Sequence, residues 1–393
     1  MKKSTWRKIF KISILTLLSV ILLLLIGIIG LFSVAYPQFG KLPDSAEYER
    51  YAKLSNFKDG KFVNEEPMRR IVWKNSRRNA ISRFVFESPK SPDFEIPRHQ
   101  LSARSFAGNP ADLKVYWLGH SFLIMEIDGT RIITDPVFGN AGPLKFIVRR
   151  FQPPPLRRED LPEADAIIIS HDHYDHLEFK TIMSLREKSV RFIVPLGAGV
   201  HLRTWGIAPE RITELNWGEH TVVGNLKVTA QTARHFSGRR LDTRNLTLWA
   251  SFVLEGPRHK VFFGGDGGYG KHFKSIGEKF GPFDLTCLEI GSWNERWPDS
   301  HLFPEQTIQA HRDLRGKYLL PIHWAAFDLA FHDWDEPIKR AVATAVSENV
   351  KMLTPIQGDP LIPGETPVGR WWLKQDAPQN LNLSKITGEM RDE

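Results

Sequence analysis

The chain has 393 residues, 41% hydrophobic and 25% charged, the composition of a folded globular protein rather than a disordered one. Its single cysteine, Cys287, excludes an intrachain disulfide and leaves any metal site to histidines and carboxylates. The net charge of +8 includes five charges from Lys2, Lys3, Arg7, Lys8 and Lys11; the remaining +3 is too little to argue for nucleic acid.

From Ile12 to Tyr36 no residue is charged, and Leu, Ile and Val dominate. A run of that length spans the hydrocarbon core as a helix and exceeds the apolar region of a signal peptide. Ser33-Val34-Ala35 has the small-x-small form that a signal peptidase accepts, but the length of the run favours an uncleaved anchor. The five basic residues ahead of it outnumber Lys41 and Arg50 behind it, which keeps the N-terminus cytoplasmic and places the body outside. Residues 1–36 thus read as basic region and anchor, and 37–110 as a polar, proline-bearing linker or wrapping segment. Residues 111–375 read as the catalytic domain and 376–393 as a polar tail. Within the linker, Met68 to Phe84 is rich in Lys and Arg and reads as a solvated face or wrapping arm rather than a membrane-binding patch.

Strands are expected at Val115–Leu118, Phe122–Met125, Arg131–Thr134, Ala166–Ile169, Phe192–Val194, Leu226–Val228, Leu248–Leu254, Val261–Phe263, Leu285–Leu288 and Tyr318–Leu320. Helices are expected at Leu177–Lys188, Lys271–Phe280 and Pro304–Leu314, the last with Pro304 at a first helical position. Early hairpins followed by strand–helix alternation suggest an α/β protein with two mixed sheets and helices outside.

The informative stretch is Ser170-His171-Asp172-His173-Tyr174-Asp175-His176-Leu177, which follows a buried-strand signature. In extended chain, residues two apart share a side, so His171 and His173 converge on one ion. Asp175 and His176, where the chain turns into a helix, can face a second ion nearby. A packed core does not tolerate three imidazoles and two carboxylates in six residues without partners. Imidazoles and carboxylates without thiolate suit zinc, and also iron or manganese. Asp135, His235, Asp266 and His323 are further ligand-type residues at the C-terminal ends of expected strands, where active-site residues gather in such sheets.

The His-x-His-x-Asp-His motif with the later His235, Asp266 and His323 resembles the metallo-β-lactamase superfamily, an αββα sandwich. Within it, several stretches resemble the N-acyl-phosphatidylethanolamine-hydrolysing phospholipase D branch: Trp117-Leu118-Gly119-His120-Ser121, Thr134-Asp135-Pro136-Val137-Phe138, Phe263-Gly264-Gly265-Asp266-Gly267-Gly268-Tyr269 and Ile322-His323-Trp324. The resemblance covers roughly Leu113 to Lys339. It implies one ion on His171, His173 and His235, and a second on Asp175, His176 and His323. Asp266 would bridge the two and take part in catalysis, and Asp135 would orient the paired histidines. It implies two zinc ions or other divalent transition metals, a phospholipid substrate, and His301 as the acid for the leaving oxygen. His120 is a second candidate for that acid. Arg239 and Arg240 are candidate phosphate contacts by their geometry, and Trp324 a candidate for an acyl-accepting groove, although aromatics near a site are more often packing. Lactonases and other carboxylic-ester hydrolases share much of this plan, so the substrate is less constrained than the fold. With all seven ligand positions filled, a non-catalytic envelope protein is the weakest reading.

Overall fold

The computed structural model describes residues 2–69, 91–366 and 369–373. Of the basic stretch Met68 to Phe84, Met68 and Arg69 fall within these; the rest of it, and the tail 376–393, lie outside the described residues. The chain opens with α1 (Lys2–Ala35), long and apolar enough to cross a membrane, its most apolar 18-residue stretch having a mean hydropathy of 3.1 and no buried residue. A short helix, α2 (Ser45–Tyr51), follows. It starts where Asp44 and Glu47 exchange side-chain-to-backbone hydrogen bonds, so two orphan N–H groups are satisfied at once. The hairpin β1 (Phe57–Lys58) and β2 (Lys61–Phe62) packs Phe57 and Phe62 with Tyr51 against Leu248 and Trp249. The segment between α1 and the body is thus held by an apolar cluster that it shares with the body.

The body is two facing sheets. The first contains β3 (Leu113–Trp117), β4 (Leu123–Ile127), β5 (Thr130–Thr134), β6 (Ala166–Ile168), β7 (Arg191–Pro195) and β8 (Ile212–Leu215). The second contains β9 (His220–Val223), β10 (Leu226–Gln231), β11 (Ser251–Glu255), β12 (Lys260–Phe263), β13 (Phe283–Glu289) and β14 (Gly316–Ile322). The two-residue β15 (Pro360–Leu361) adds to the first sheet beside β3. In each sheet an antiparallel part made by hairpins passes into a parallel part, β5 to β8 in the first and β12 to β14 in the second. Parallel neighbours need crossovers, which the intervening helices and loops supply.

Side-chain alternation explains the layering. Val115, Trp117, Leu123, Met125, Ile132 and Ile168 point between the sheets, against Val228, Phe252, Leu254 and Phe263. Their neighbours Tyr116, Ile124, Ile133 and Ile167 point the other way, into a second apolar layer with Ile182, Leu202 and Trp205. Each such buried side chain contributes about 1.5–3 kcal/mol. The first sheet is covered by α3 (Phe179–Ser184) and α4 (Gly199–Thr204). Beside the second lie α5 (His272–Phe280), α6 (Pro304–Asp313) and α7 (Glu336–Ser347), which contribute Phe273, Ile308 and Ile338 to the core. The result is the αββα sandwich.

Three expectations shift in detail. The helix expected over Leu177–Lys188 is the six-residue α3, because the metal-motif turn occupies its start and Leu185 already leaves helical geometry. The strand expected from Leu248 begins at Ser251, since Leu248 N bonds Leu196 O and Ala250 N bonds Ser170 O outside the ladder. Helices α2, α4 and α7 add to those expected.

Candidate metal centre

The parallel strands β6, β12 and β14 and the antiparallel-paired β10, which runs the same way as β12, end at one rim, and the candidate ligands follow from their ends. Beyond β6 the chain runs Ser170-His171-Asp172-His173, beyond β10 lies His235, beyond β12 Asp266, and beyond β14 His323. His120, Asp135 and His323 each hold a left-handed backbone, at φ 57°, 41° and 63°. Such conformations are costly for residues with a Cβ and persist where the surroundings enforce them. For two of the three the enforcement is visible. His120 N donates to Trp324 O at 3.1 Å and His323 N to His120 O at 3.0 Å, stacking the two rings with centroids 3.9 Å apart.

Two groups of ligand atoms result. His171 Nε2, His173 Nδ1 and His235 Nε2 face one another, His173 Nδ1 lying 2.7 and 3.4 Å from the other two. Beside them, Asp175 Oδ2 lies 3.4 Å from His176 Nε2, 3.6 Å from His323 Nε2 and 3.0 Å from His120 Nε2. Asp266 Oδ2 sits between the groups: 3.9 Å from His171, 3.8 Å from His235, 3.2 Å from His176 and 3.0 Å from His323.

The surrounding hydrogen bonds fix which nitrogen of each ring carries a lone pair. Asp135 Oδ2 accepts from Ser170 Oγ at 2.7 Å and from His176 Nδ1 at 2.7 Å. A hydroxyl has one proton, so Ser170, having given it to the carboxylate, accepts from His171 Nδ1 at 2.9 Å. His235 Nδ1 donates to Ser300 O at 2.8 Å. In His171 and His235 this leaves Nε2 unprotonated and aimed inward; in His176 it turns Nε2 inward toward the Asp175 and Asp266 carboxylates, where a proton or a metal ion can sit. His176 Nε2, His323 Nε2 and Asp266 Oδ1 are buried without an aligned hydrogen-bond partner, and burying such groups unpaired is expensive. Inward-facing imidazole nitrogens around an orphaned carboxylate oxygen are what a cation site requires, so these residues fit divalent metal ions.

Electrostatics agree. Burial holds the pKa of His171 well below the imidazole value, with help from the neighbouring imidazole of His176; burial does the same to His235 against the pull of Asp266. Burial would also lower His176 and His323. Their carboxylate neighbours, Asp266 first, instead raise His176 well above its usual value and His323 to about 10. The carboxylate-rich half therefore draws in positive charge.

The cavity above the ligands has a volume of about 290 Å³. His173, Asp175, Asp266, His301 and His323 line it together with Phe236, Trp297, Leu329, Arg69 and Arg244. The His301 Nδ1–H donates to Glu289 Oε2 at 2.7 Å, and Glu289 Oε1 accepts from Gly267 N and Leu302 N. Glu289 is buried at the end of β13, a functional position that sequence reasoning passes over; the signal is an acid closing the apolar run Leu285–Leu288. Asp172, inside the motif, turns away to bond His201, Thr247 and Gly238 N, bracing the loop from behind.

Arg239 and Trp324 sit elsewhere than a substrate groove. Arg239 is 4% exposed, donates to Gln38 O, Asp172 O and Leu177 O, and stacks over Tyr174. Arg240 pairs with Asp242 at the surface. Trp324 is buried between Trp117 and Trp371. The cation brought to the cavity from this loop is Arg244, stacked 3.9 Å over Phe236. Arg239, Arg240 and Trp324 do not line this cavity.

A family model described as the beta-lactamase superfamily domain matches residues 130–324. An uncharacterised protein of Mycobacterium tuberculosis is 43% identical over 347 residues, 84% of this chain and 90% of that one. The N-acyl-phosphatidylethanolamine-hydrolyzing phospholipase D 1 of Caenorhabditis elegans is 34% identical over 257 residues, 60% of this chain and 70% of that one. Among solved structures, the isothiocyanate hydrolase from Delia radicum gut bacteria superposes with a TM-score of 0.51 at 17% identity, over 63% of this chain and 98% of that one; this likeness shows the fold alone.

Proposed function

Since the chain belongs to the metallo-β-lactamase superfamily and is a metal-dependent hydrolase, we propose that it is a membrane-anchored phosphodiesterase. Its substrate would be a phosphatidylethanolamine-type lipid, N-acylated by preference, and its metals two zinc ions. One ion would sit on His171, His173 and His235, the other on Asp175, His176 and His323, with Asp266 shared. The observation that carries the reading is one cavity in which His173, Asp175, Asp266 and His323 of this set meet apolar walls and Arg244, in a chain 34% identical to a named phospholipase D. When bound, such ions lower the pKa of a water toward neutrality and act as Lewis acids. The protein does the rest. Arg244 supplies positive charge where a phosphodiester would rest, and Phe236, Trp297 and Leu329 exclude bulk water and accept chain. His301, held on Glu289, passes a proton to the leaving oxygen as the phosphorus–oxygen bond breaks. His120, its Nε2 against Asp175 and its pKa lowered to about 3 by burial, is better suited to holding that carboxylate in place. Helix α1 would be the single-pass anchor, N-terminus cytoplasmic, holding the site near its substrate.

The test is hydrolysis by zinc-loaded, detergent-purified protein, with products identified by mass spectrometry. The substrates are N-acyl-phosphatidylethanolamine, phosphatidylethanolamine and an acyl-homoserine lactone. Phosphatidic acid and an N-acylethanolamine are expected from wild type and neither from Asp266→Ala. Lactone opening with no lipid cleavage would replace the phosphodiesterase reading by a lactonase on the same site.

A further inference from the structure

A second cavity, of about 530 Å³, opens at the foot of α1. Val34 and Gln38 of the helix foot line it, with Lys145, Arg149 and Lys180 of the body and the ring of Tyr174. The lone carboxylate on its wall, Glu178, is already paired with Arg158 at 3.0 Å. Lys145, Arg149 and Lys180 are exposed, and their side chains have no ion-pair partner among the described residues. The cavity thus carries unneutralised positive charge beside an apolar helix.

Two exposed apolar side chains are carried by loops that meet the helix foot. Phe146, between Lys145 and Arg149, is 57% exposed, and Leu241 is fully exposed. Both belong to loops tied to the helix foot: Gln38 Nε2 donates to Pro143 O at 2.6 Å, and Arg239 Nε donates to Gln38 O at 2.8 Å. Isolated apolar residues at a surface are ordinary. Here they belong to loops bonded to the foot of a membrane-length helix, in company with three cations that have no ion-pair partner among the described residues, and an interface offers hydrocarbon to the one and phosphate to the other.

We propose that this cavity binds the phosphate-bearing headgroup of an anionic phospholipid, with Phe146 and Leu241 inserted among the acyl chains around α1. The proposal rests on the reading of α1 as a membrane anchor. A lipid seated there would touch Tyr174, whose neighbours His173 and Asp175 line the catalytic cavity. The headgroup site and the hydrolytic site therefore lie on opposite sides of one strand of chain.

The experiment uses the full chain in nanodiscs of equal parts phosphatidylcholine and phosphatidylglycerol, with co-ejected lipids counted by native mass spectrometry. Each cation near an anionic surface is worth about fivefold in affinity. Wild type should retain phosphatidylglycerol at least tenfold over phosphatidylcholine, and Lys145→Gln/Arg149→Gln/Lys180→Gln should lose that preference. The three positions are exposed and outside the catalytic cavity, so unchanged hydrolysis of a micellar substrate will verify the variant's fold. Equal retention by both proteins, or no preference in wild type, overturns the proposal. So does complete displacement of the lipid by inorganic phosphate, which would make the cavity a free-anion site. Alkaline carbonate extraction separates the two readings: release of wild type from membranes removes the anchor and this site with it. A chain that stays in the membrane but shows no lipid preference removes this site alone.

Discussion

The two halves of the ligand cluster are built from similar parts and behave in opposite ways. His171, His173 and His235 are three imidazoles whose pKa values lie below the usual value because burial disfavours their charge. His176 and His323 are equally buried, yet Asp266 and Asp175 raise them. The difference is one of carboxylate count. The first half offers ligands from which burial and then the neighbouring imidazoles keep protons away; the second is a net negative pocket that takes protons when nothing better is present. An ion should therefore bind the second half more tightly, and the first half should be the one that empties first.

The strongest way to break that comparison is to remove the residue common to both halves. Asp266→Ala should lose more than roughly 10³-fold in kcat/KM, since several kcal/mol of charge stabilisation disappear at ~1.4 kcal/mol per tenfold. Elemental analysis should find both metals depleted; a variant that keeps both would show that Asp266 does not bridge. Next, His235→Gln should bring zinc to about one per chain with the remaining ion resistant to chelator, whereas Asp175→Asn should leave an ion that chelator strips readily. Equal chelator sensitivity of the two variants would erase the proposed asymmetry. A smaller effect is expected outside the ligand set. Asp135→Asn should weaken metal affinity by about 10–100-fold, because it disturbs His176 directly and His171 through Ser170.

The smallest effect separates the cluster from its scaffold. His311, bonded to Thr286 Oγ1 away from the cluster, has its pKa lowered to about 4 by burial. Its folded pKa lies below its unfolded one, so the unfolded chain takes up the extra proton in acid. Stability is present above about pH 6.5 and declines as pH falls toward 4, by at most ~1.4 kcal/mol per pH unit. In His311→Gln that part of the slope should vanish from denaturant titrations at fixed metal, and an unchanged slope would assign acid sensitivity to other groups.

Much of this molecule is legible in the chain because the relevant signals are local. The candidate ligand motif spans six residues, and His235, Asp266 and His323 follow shortly after the ends of apolar strands, so sequence position and spatial position coincide. The αββα layering is legible for a similar reason: Val115, Tyr116, Trp117 and Leu118 alternate between two apolar layers. What escapes is decided by distant partners. Nothing near Arg239 announces that its guanidinium will be spent on Gln38, 201 positions earlier, or on Asp172 and Leu177. Trp324 likewise becomes core because Trp371 arrives from the end of the described chain. Helix α7 is a different case. Pro337 in its first turn and Ile338, Ala341 and Ala345 on its buried face form a readable pattern, muted by the small size of the two alanines.

The left-handed backbones of His120, Asp135 and His323 affect how the site should be dissected. Alanine scanning assumes that a truncated side chain leaves the main chain content, but at these three positions alanine inherits a conformation costing roughly 1–2 kcal/mol. A drop in activity there would mix a lost functional group with a loop sliding toward an easier geometry. Asparagine and glycine tolerate that region, so a paired Asn and Gly series reports the chemistry of the missing group, and the alanine series measures how firmly the loops are held.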